Sequence, residues 1–484
     1  MNPDYAGLAA ALRPETLLVL GGLAVLGADL SLGRGRSLAG RHRGALGIAA
    51  LAVALAALLA GTAARGPVFG GVLILDSFAV ASRLGILGLT LLTLGVAWGA
   101  RPPRQPAEGA AVMLFAAAGF LLMAAANQLL LGFLAIELAS LSLYVLAGFD
   151  RDRPESAEAA LKYFLFGTLA TAFLLFGFSL VYGLTGSIGL PQIAAGLARQ
   201  GPSPLLLVAI VMILVAFGFK AAAAPFHLWA PDVYEGAPAP AAALIASASK
   251  LAGFTFFTRL LWPGLGAAAG SGQSLAAGSG WLPAVALVAA ASLLLGNFGA
   301  LAQSNLRRLL AYSAIAHAGT LLLGVMAAGQ AGFAPVAYYA GTYGLATVGA
   351  FGVIAVLERS GPAQAITDLA GLHRRSPLLA GCLAVSILSL AGIPPLAGFF
   401  GKLAVFSAAL RMGGPAAWLA VLAIALSAVA LYYYLLVLKQ ALVAAPPADA
   451  RPVVVSRVTA LALVAAAGLI LWFGLDPALV LGRF

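Results

Sequence analysis

Long apolar stretches recur along the whole chain, and they limit its possible folds more than any other feature of the sequence. Fourteen stretches of 17 or more residues carry few charges, and each can cross the roughly 30 Å hydrocarbon core of a membrane as a helix. A helix satisfies its own backbone polar groups there, where water cannot. The sequence therefore predicts an all-α polytopic membrane protein with spans 1 to 14 near residues 15–32, 44–62, 72–98, 109–126, 128–148, 159–184, 204–229, 238–262, 281–303, 308–328, 333–357, 378–410, 415–440 and 456–475.

The composition agrees with this class and argues against a redox centre in the chain. Only 9% of the residues are charged, against about 25% in soluble domains. No basic segment precedes the first apolar stretch, so we expect that stretch to remain as a span and not to be removed as a signal peptide. The single cysteine, Cys382, cannot ligate an iron–sulfur cluster or form an internal disulfide, and four histidines leave little scope for haem.

The basic residues behind the net charge of +11 lie mostly on one predicted side of the membrane. This placement argues against nucleic acid as the partner. Sixteen of the 27 Lys and Arg residues lie in loops that follow odd-numbered spans, and six lie on the other side. The positive-inside rule then places the odd loops in the cytoplasm and both termini outside. The basic loop 34–43 is interpreted chiefly as such a topology signal, with binding of anionic lipid as the alternative.

Lysine and arginine are used differently in this chain. Four of the five lysines fall within spans, whereas the arginines lie in loops or near span ends, with Arg83 as the exception. An ammonium in an apolar interior can give up its proton, but a guanidinium keeps its proton at any ordinary pH. A charged side chain in a span is also costly, at roughly 2.5–3.5 kcal/mol on insertion scales. The pattern predicts proton transfer through buried lysines, namely Lys162, Lys220, Lys250 and Lys402.

Prolines interrupt two of the spans that carry these lysines. Pro225 follows Lys220 by five residues, and Pro394-Pro395 precede Lys402 within a stretch of 33 residues that is too long for one straight crossing. Broken helices in two halves of one chain are typical of transporters with internal repeats. The 182 residues between the two lysines correspond to about five spans, so the repeat would be inverted.

Three further titratable residues lie near these lysines, and two of them have two interpretations. Glu137, deep in span 5, is either a proton carrier or a neutral acid that holds helices together. His227, just after the first break, is either a proton carrier or a structural histidine, and His317 is buried in span 10. Lys162 either takes part in transfer or extends its ammonium to the membrane surface. Ser247 and Ser249 flank Lys250 and could hold water.

Three long motifs resemble one known family. They are Phe226-His-Leu-Trp-Ala-Pro-Asp-Val-Tyr-Glu-Gly-Ala-Pro238, Arg308-Leu-Leu-Ala-Tyr-Ser-Ala-Ile-Ala-His317 and Gly392-Ile-Pro-Pro-Leu-Ala-Gly-Phe-Phe-Gly-Lys402. With its fourteen spans, the chain resembles the antiporter-like membrane subunits of bacterial respiratory complex I, the proton-translocating NADH–quinone oxidoreductase. Lysine at position 402, where sister subunit M has glutamate, favours the subunit N branch. The chain also stops after span 14, without the long lateral helix of sister subunit L.

The resemblance implies two inverted five-helix repeats, spans 4–8 and 9–13, with broken helices 7 and 12. It divides the chain into residues 1–105, 106–265, 278–442 and 443–484. It also implies that Glu137 pairs with Lys220, that Lys250 is the central relay lysine and that Lys402 serves the outlet. Lys162, His227 and His317 would be accessory links. At about 4 Å the Glu137–Lys220 pair would gain about 4 kcal/mol at an effective dielectric constant of 20.

By the same resemblance the chain itself would hold no cofactor, and NADH, FMN, iron–sulfur clusters and quinone would belong to partner subunits. The expected partners are sister subunit M and small subunits K and J, within the lipid bilayer of the bacterial inner membrane. Two alternatives stay open at this point. One is a cation/proton antiporter subunit of the Mrp type or a membrane-bound hydrogenase subunit, and the other is a scaffold whose buried charges only hold helices together.

Overall fold

The structure is a computed structural model of the chain. It describes residues 4–33, 35–62, 65–201, 203–270, 280–361, 363–447 and 451–482. Arg34 and Arg483, two of the arginines in the charge distribution, lie outside the described residues. Within the described part, thirteen helices are long and apolar enough to cross a membrane, and a fourteenth crossing is built from two shorter helices.

The fourteen spans begin and end within a few residues of the predicted positions. Spans 7, 8 and 12 are interrupted and are given as separate pieces. In order, the spans are Arg13–Leu32, Leu38–Gly61, Ser77–Gly99, Pro106–Ala125, Leu129–Ala147, Pro154–Thr185, Pro204–Ala221 with Trp229–Gly236, Ala239–Ala246 with Ala248–Arg259, Trp281–Leu301, Leu306–Ala331, Ala334–Ser360, Pro377–Ala391 with Ala397–Met412, Gly414–Leu442 and Arg457–Leu475.

Short elements join or flank these spans. Strands Gly66–Val68 and Leu73–Leu75 form an antiparallel hairpin before span 3, a small exception to the predicted all-helical fold. The others are helices Tyr5–Ala11, Leu190–Gln200, Leu372–Arg375 and Ala478–Leu481, a π-helical turn Leu260–Gly264, and short 3₁₀ turns Gly266–Ala268 and Ile366–Leu369.

Three spans form the centre of the bundle. Spans 8, 10 and 11 are almost wholly buried among the other helices. Spans 1, 2, 6 and 13 instead expose rows of large apolar side chains, as expected for helices that face lipid. Lys250 and His317 therefore lie on central helices, far from the lipid-facing surface.

Spans 7 and 12 break at the predicted positions and in the same way. The first half of span 7 ends with Ala222 in the left-handed conformation (φ 56°), and Ala223 N–H donates back to Gly218 O at 2.7 Å. The first half of span 12 ends with Gly392 at φ 86°, and Ile393 N–H donates to Leu388 O at 3.1 Å. Since proline follows in each case, neither helix can continue.

Backbone hydrogen bonds at two loop crossings reveal the internal repeat. In the first half, Leu129 N–H donates to Ile188 O (2.8 Å) and Leu190 N–H donates to Asn127 O (3.1 Å). In the second half, Leu306 N–H donates to Gln364 O (2.7 Å) and Ile366 N–H donates to Ser304 O (2.9 Å). Span 5 and span 10 therefore start at equivalent places.

This equivalence changes two of the correspondences suggested by sequence offsets. Counted from the equivalent starts at Leu129 and Leu306, His317 corresponds to Ser140 and not to Glu137. Likewise, Lys220 lies before its break, whereas Lys402 lies after its own. The near-equal sequence offsets therefore join residues that occupy different places in the two halves.

Candidate functional site

Lys220 lies where the first half of span 7 ends. Its side chain is buried, and its Nζ donates a hydrogen bond to Ser140 Oγ at 3.2 Å. The free carbonyl groups at the end of a helix carry partial negative charge, which favours a cation in the last turn. A cavity of about 20 Å³ borders Lys220, Ser140 and Thr171, and this is enough space for one water molecule.

Glu137 does not form the expected direct ion pair with Lys220. Its Oε1 accepts a hydrogen bond from Thr171 Oγ1 at 2.8 Å, and the side chain is only partly buried. Ser140, one turn further along span 5, takes the position opposite the ammonium. Thr171, the hydrogen-bond partner of Glu137, lines the same cavity as Lys220.

Lys250 follows an interruption of span 8 that the sequence did not reveal. The helix is broken at Ser247, whose backbone has φ −113° and ψ −87°, and it resumes at Ala248. Lys250 is 2% exposed; its Nζ donates to Ala314 O at 2.7 Å and lies 5.2 Å from the centre of the Tyr343 ring. The carbonyl and the ring face both stabilise an ammonium in this apolar interior.

His317 connects the region of Lys250 to that of Lys402. It lies one turn after Ala314 on span 10, and its ring packs against that of Tyr343, with the centres 4.9 Å apart. Its Nδ1 is 2.6 Å from Tyr339 Oη, and its Nε2 is 3.1 Å from Tyr434 Oη. Both ring nitrogens therefore have hydroxyl partners inside the protein.

Lys402 lies in the second half of span 12 and reaches back to the first half. Its Nζ donates to Ala391 O at 2.9 Å, a carbonyl that the break leaves without a helical partner. A second cavity of about 20 Å³ borders both Lys402 and His317, with Asn297, Thr320, Ser427 and Tyr433 among its polar neighbours.

Lys220, Lys250, His317 and Lys402 form the series that we call the lysine line. Lys162 and His227 lie apart from it. Lys162 is partly exposed and pairs with Asp232 at 2.5 Å and with Glu158 at 2.6 Å. Asp232 also pairs with Arg308 at 2.8 Å, so these residues tie spans 6 and 7 to span 10. His227 lies in the turn of the span 7 break, where its Nδ1 has no partner among the described residues.

The polar partners of Lys220 and His317 were missing from the sequence-based prediction. Ser140, Tyr339 and Tyr434 occupy ordinary positions in apolar helices, and nothing in their local sequence marks them. They come from spans 5, 11 and 13, and only the packing of distant helices brings them to Lys220 and His317.

No candidate metal site accompanies these residues. Across the ranges that the structure describes, no group of three or more His, Cys, Asp or Glu side chains could hold a metal ion.

Comparison with known proteins decides the family. Residues 126–427 match the family described as NADH:quinone oxidoreductase/Mrp antiporter, TM. NADH-quinone oxidoreductase subunit N 2 of Acidobacterium capsulatum is 46% identical over 99% of both chains. NADH-quinone oxidoreductase subunit N of Rhodospirillum rubrum is 43% identical over 82% of this chain and 80% of its own length. The chain belongs to the NADH-quinone oxidoreductase subunit N family.

Solved structures agree with membership of the subunit N family. A chain of respiratory complex I from Thermus thermophilus with bound aureothin is 36% identical and superposes with a TM-score of 0.78 over 97% of this chain and 99% of that chain. The resemblance read from the three motifs is thus confirmed.

The wider antiporter-like group shares the architecture. A chain of the Mrp complex from Dietzia sp. has a TM-score of 0.82, and a chain of the archaeal membrane-bound sulfane sulfur reductase has one of 0.84. At 23% identity, each shows the common fold alone.

Proposed function

We propose that this chain moves protons through Lys220, Lys250 and Lys402, coupled to quinone reduction in neighbouring subunits of an NADH–quinone oxidoreductase. The observation that carries the proposal is the placement of three buried ammonium groups beside three interrupted helices. Each has a single hydrogen-bond acceptor in an apolar interior and no direct carboxylate partner among the described residues. Such a group is held weakly enough to lose and regain a proton.

In this mechanism the Glu137 carboxylate stabilises the Lys220 ammonium electrostatically, without a direct ion pair. Redox chemistry in a neighbouring subunit would weaken the electrostatic stabilisation of the Lys220 ammonium by this carboxylate. Lys220 would then release its proton towards Lys250. The proton would then pass through His317 to Lys402, with one water in the cavity that borders both residues bridging distances too long for direct bonds. Lys162 would stabilise the second half of span 7 through Asp232, and His227 would be an accessory link at the break.

The proposal also covers the two repeats, the partner subunits and the orientation of the chain in the membrane. Residues 106–265 and 278–442 would form the two inverted repeats, flanked by an N-terminal three-helix segment (1–105) and a C-terminal span (443–484). The relatives' names support a place among the membrane subunits of complex I. Subunits M, K and J would be its neighbours, and partner chains would hold NADH, FMN, the iron–sulfur clusters and quinone. Both termini would face the periplasmic side of the bacterial inner membrane.

Lys402→Arg tests the proton-transfer role directly. Arginine keeps the positive charge but resists deprotonation by at least two further pH units, so transfer through this chain should fall about 100-fold or more. The measurement is the number of protons pumped per electron by the whole complex reconstituted in vesicles, with the rate of NADH–quinone reduction followed in the same sample.

Lys439→Arg is the matched control, because Lys439 is exposed at the end of span 13. It should leave the ratio of protons to electrons unchanged. Full pumping by the Lys402→Arg complex would mean that this residue only balances charge, and the relay would then be wrong.

A further inference from the structure

A cavity lies on the side of the molecule that carries the basic loops after odd-numbered spans (the basic side), and none of its lining residues belongs to the lysine line. Its volume is about 330 Å³, and it lies between the starts of spans 2 and 4, the ends of spans 3 and 5, and the segment 238–241. Its interior is apolar, with Leu46, Met113 and Leu146 among the lining residues. Leu38, at the start of span 2, also lines it and is 42% exposed. The cavity therefore opens where span 2 meets the membrane surface.

Charged side chains line the mouth of this cavity. Arg104 is neutralised by Asp152, which lies 2.5 Å away. Arg101 and Arg151 are exposed, and neither has an ion-pair or side-chain hydrogen-bond partner in the described part of the chain. With Asp150 included, three arginines face two aspartates, which leaves one net positive charge at the mouth.

His42 gives a second, independent indication of a ligand. It lines the cavity and is 6% exposed. Its Nε2 lies 3.0 Å from Ala97 O; a carbonyl can only accept, so Nε2 carries the proton. Nδ1 is then a buried acceptor, and it has no partner among the described residues. Because leaving a buried polar atom unpaired is costly, the site is suited to a ligand that brings a donor.

We propose that this cavity binds one anionic glycerophospholipid whose headgroup carries a free hydroxyl, such as phosphatidylglycerol. The phosphodiester lies between Arg101 and Arg151 and balances the net charge of the mouth. A headgroup hydroxyl donates to His42 Nδ1, and an acyl chain fills the apolar interior. A soluble phosphate ester would satisfy the arginines but would leave the apolar interior empty.

The experiment uses the whole complex in nanodiscs that contain a photoactivatable lipid with a diazirine on its acyl chain. Three probes are compared: phosphatidylglycerol, phosphatidylethanolamine and phosphatidylcholine. Phosphatidylethanolamine offers a donor but no net charge, and phosphatidylcholine offers neither. We expect labelling of peptides that contain Leu46 and Met113, about ten-fold stronger with phosphatidylglycerol than with either other lipid.

Arg101→Gln/Arg151→Gln should reduce that labelling about ten-fold and leave the ratio of protons to electrons unchanged. The matched control is Arg359→Gln/Arg374→Gln, which removes two exposed arginines from other loops of the basic side. Equal labelling by the three lipids, or full labelling of the Arg101→Gln/Arg151→Gln complex, would overturn the proposal. So would competition by millimolar glycerol phosphate, because it would identify the ligand as a soluble anion.

Discussion

At the scale of single residues, His317 is placed to pass a proton without turning its ring. A neutral imidazole has one donor nitrogen and one acceptor nitrogen, and hydroxyl groups can serve either. Tyr434 Oη also lies 2.5 Å from Ser313 Oγ, so its hydroxyl has partners on two sides. A proton received at one ring nitrogen can therefore leave from the other.

Tyr434→Phe tests this arrangement. The ring stays, the hydroxyl partner of His317 Nε2 is lost, and transfer from Lys250 to Lys402 should slow roughly 100-fold, the usual order for loss of a proton-transfer group. The readouts are protons pumped per electron and the effect of deuterated water on the pumping rate.

Tyr432→Phe is a matched control, since this neighbour is 60% exposed on the same helix. Loss of one hydroxyl there should change neither readout. If the Tyr434→Phe complex pumps normally while His317→Ala does not, the proton passes by a route that avoids Tyr434.

At the scale of secondary-structure elements, the two breaks differ in the residue that adopts the left-handed conformation. Span 7 uses Ala222, although an L-residue with a Cβ loses roughly 1–2 kcal/mol in that conformation. Span 12 uses Gly392, where a Cβ would lie 2.9 Å from Lys402 Cδ and 3.3 Å from its Nζ. Glycine at position 392 is thus favoured by the left-handed turn, and it leaves room for the lysine packed over it.

Gly392→Ala and Ala222→Gly form a reciprocal pair of variants. Gly392→Ala should destabilise the break by roughly 1–2 kcal/mol and displace Lys402, because backbone and side chain both conflict with the added methyl group. Ala222→Gly should be nearly neutral, since relief of strain offsets the greater freedom of the unfolded chain.

The thermal midpoint of each purified complex and its ratio of protons to electrons check this pair. Gly392→Ala should lower both, and Ala222→Gly should leave both near the values of the unchanged protein. Equal effects of the two substitutions would show that the close approach of Lys402 is unimportant.

These elements also show what the sequence could predict. Pro225 and Pro394-Pro395 marked two breaks because proline removes a backbone donor wherever it occurs, and the lysines were evident from their apolar surroundings. The interruption of span 8 at Ser247 contains no proline or glycine, so local sequence gave no sign of it. Ser140 and Tyr434 lie 80 and 117 residues from the side chains that they contact, and such pairings depend on helix packing.

At the scale of the whole molecule, polar contacts reinforce the packing of the N-terminal spans on the central helices. Arg259 Nη1 and Nη2 of span 8 each donate to Asp76 at 2.8 Å, just before span 3. Thr255 Oγ1 donates to Ser82 Oγ at 3.0 Å one turn deeper. Because span 8 carries Lys250, these contacts join the first three spans to the helix at the middle of the lysine line.

Asp76→Asn should weaken this attachment in a pH-dependent way. Burial raises the pKa of the Asp76 carboxyl. Hydrogen bonds from Arg259 and from the Ala79 N–H lower this pKa by more than burial raises it, so it lies below the ordinary value. Its stabilising contribution is therefore complete above the unfolded pKa of about 3.9 and is lost as pH falls through the folded value. At neutral pH the substitution should cost about 2 kcal/mol, since it leaves the buried Arg259 poorly paired.

The thermal midpoints of the unchanged and Asp76→Asn complexes, measured from pH 7 down to pH 3, check this expectation. The difference between them should be constant down to about pH 4 and should shrink below it. A difference that persists unchanged at pH 3 would show that the charge of Asp76 contributes nothing.

The opposite placement of Lys220 and Lys402 around their breaks has an electrical consequence. Span 12 comes five spans after span 7, so the predicted topology gives the two opposite directions and would place a lysine before one break and a lysine after the other on the same side of the membrane midplane. A charge that moves between points at similar depth crosses little of the transmembrane voltage, whereas a full crossing requires about 2.3 kcal/mol per 100 mV. In the proposed mechanism, work against the voltage would therefore fall on the steps by which protons enter and leave the lysine line, and hardly on transfer along it.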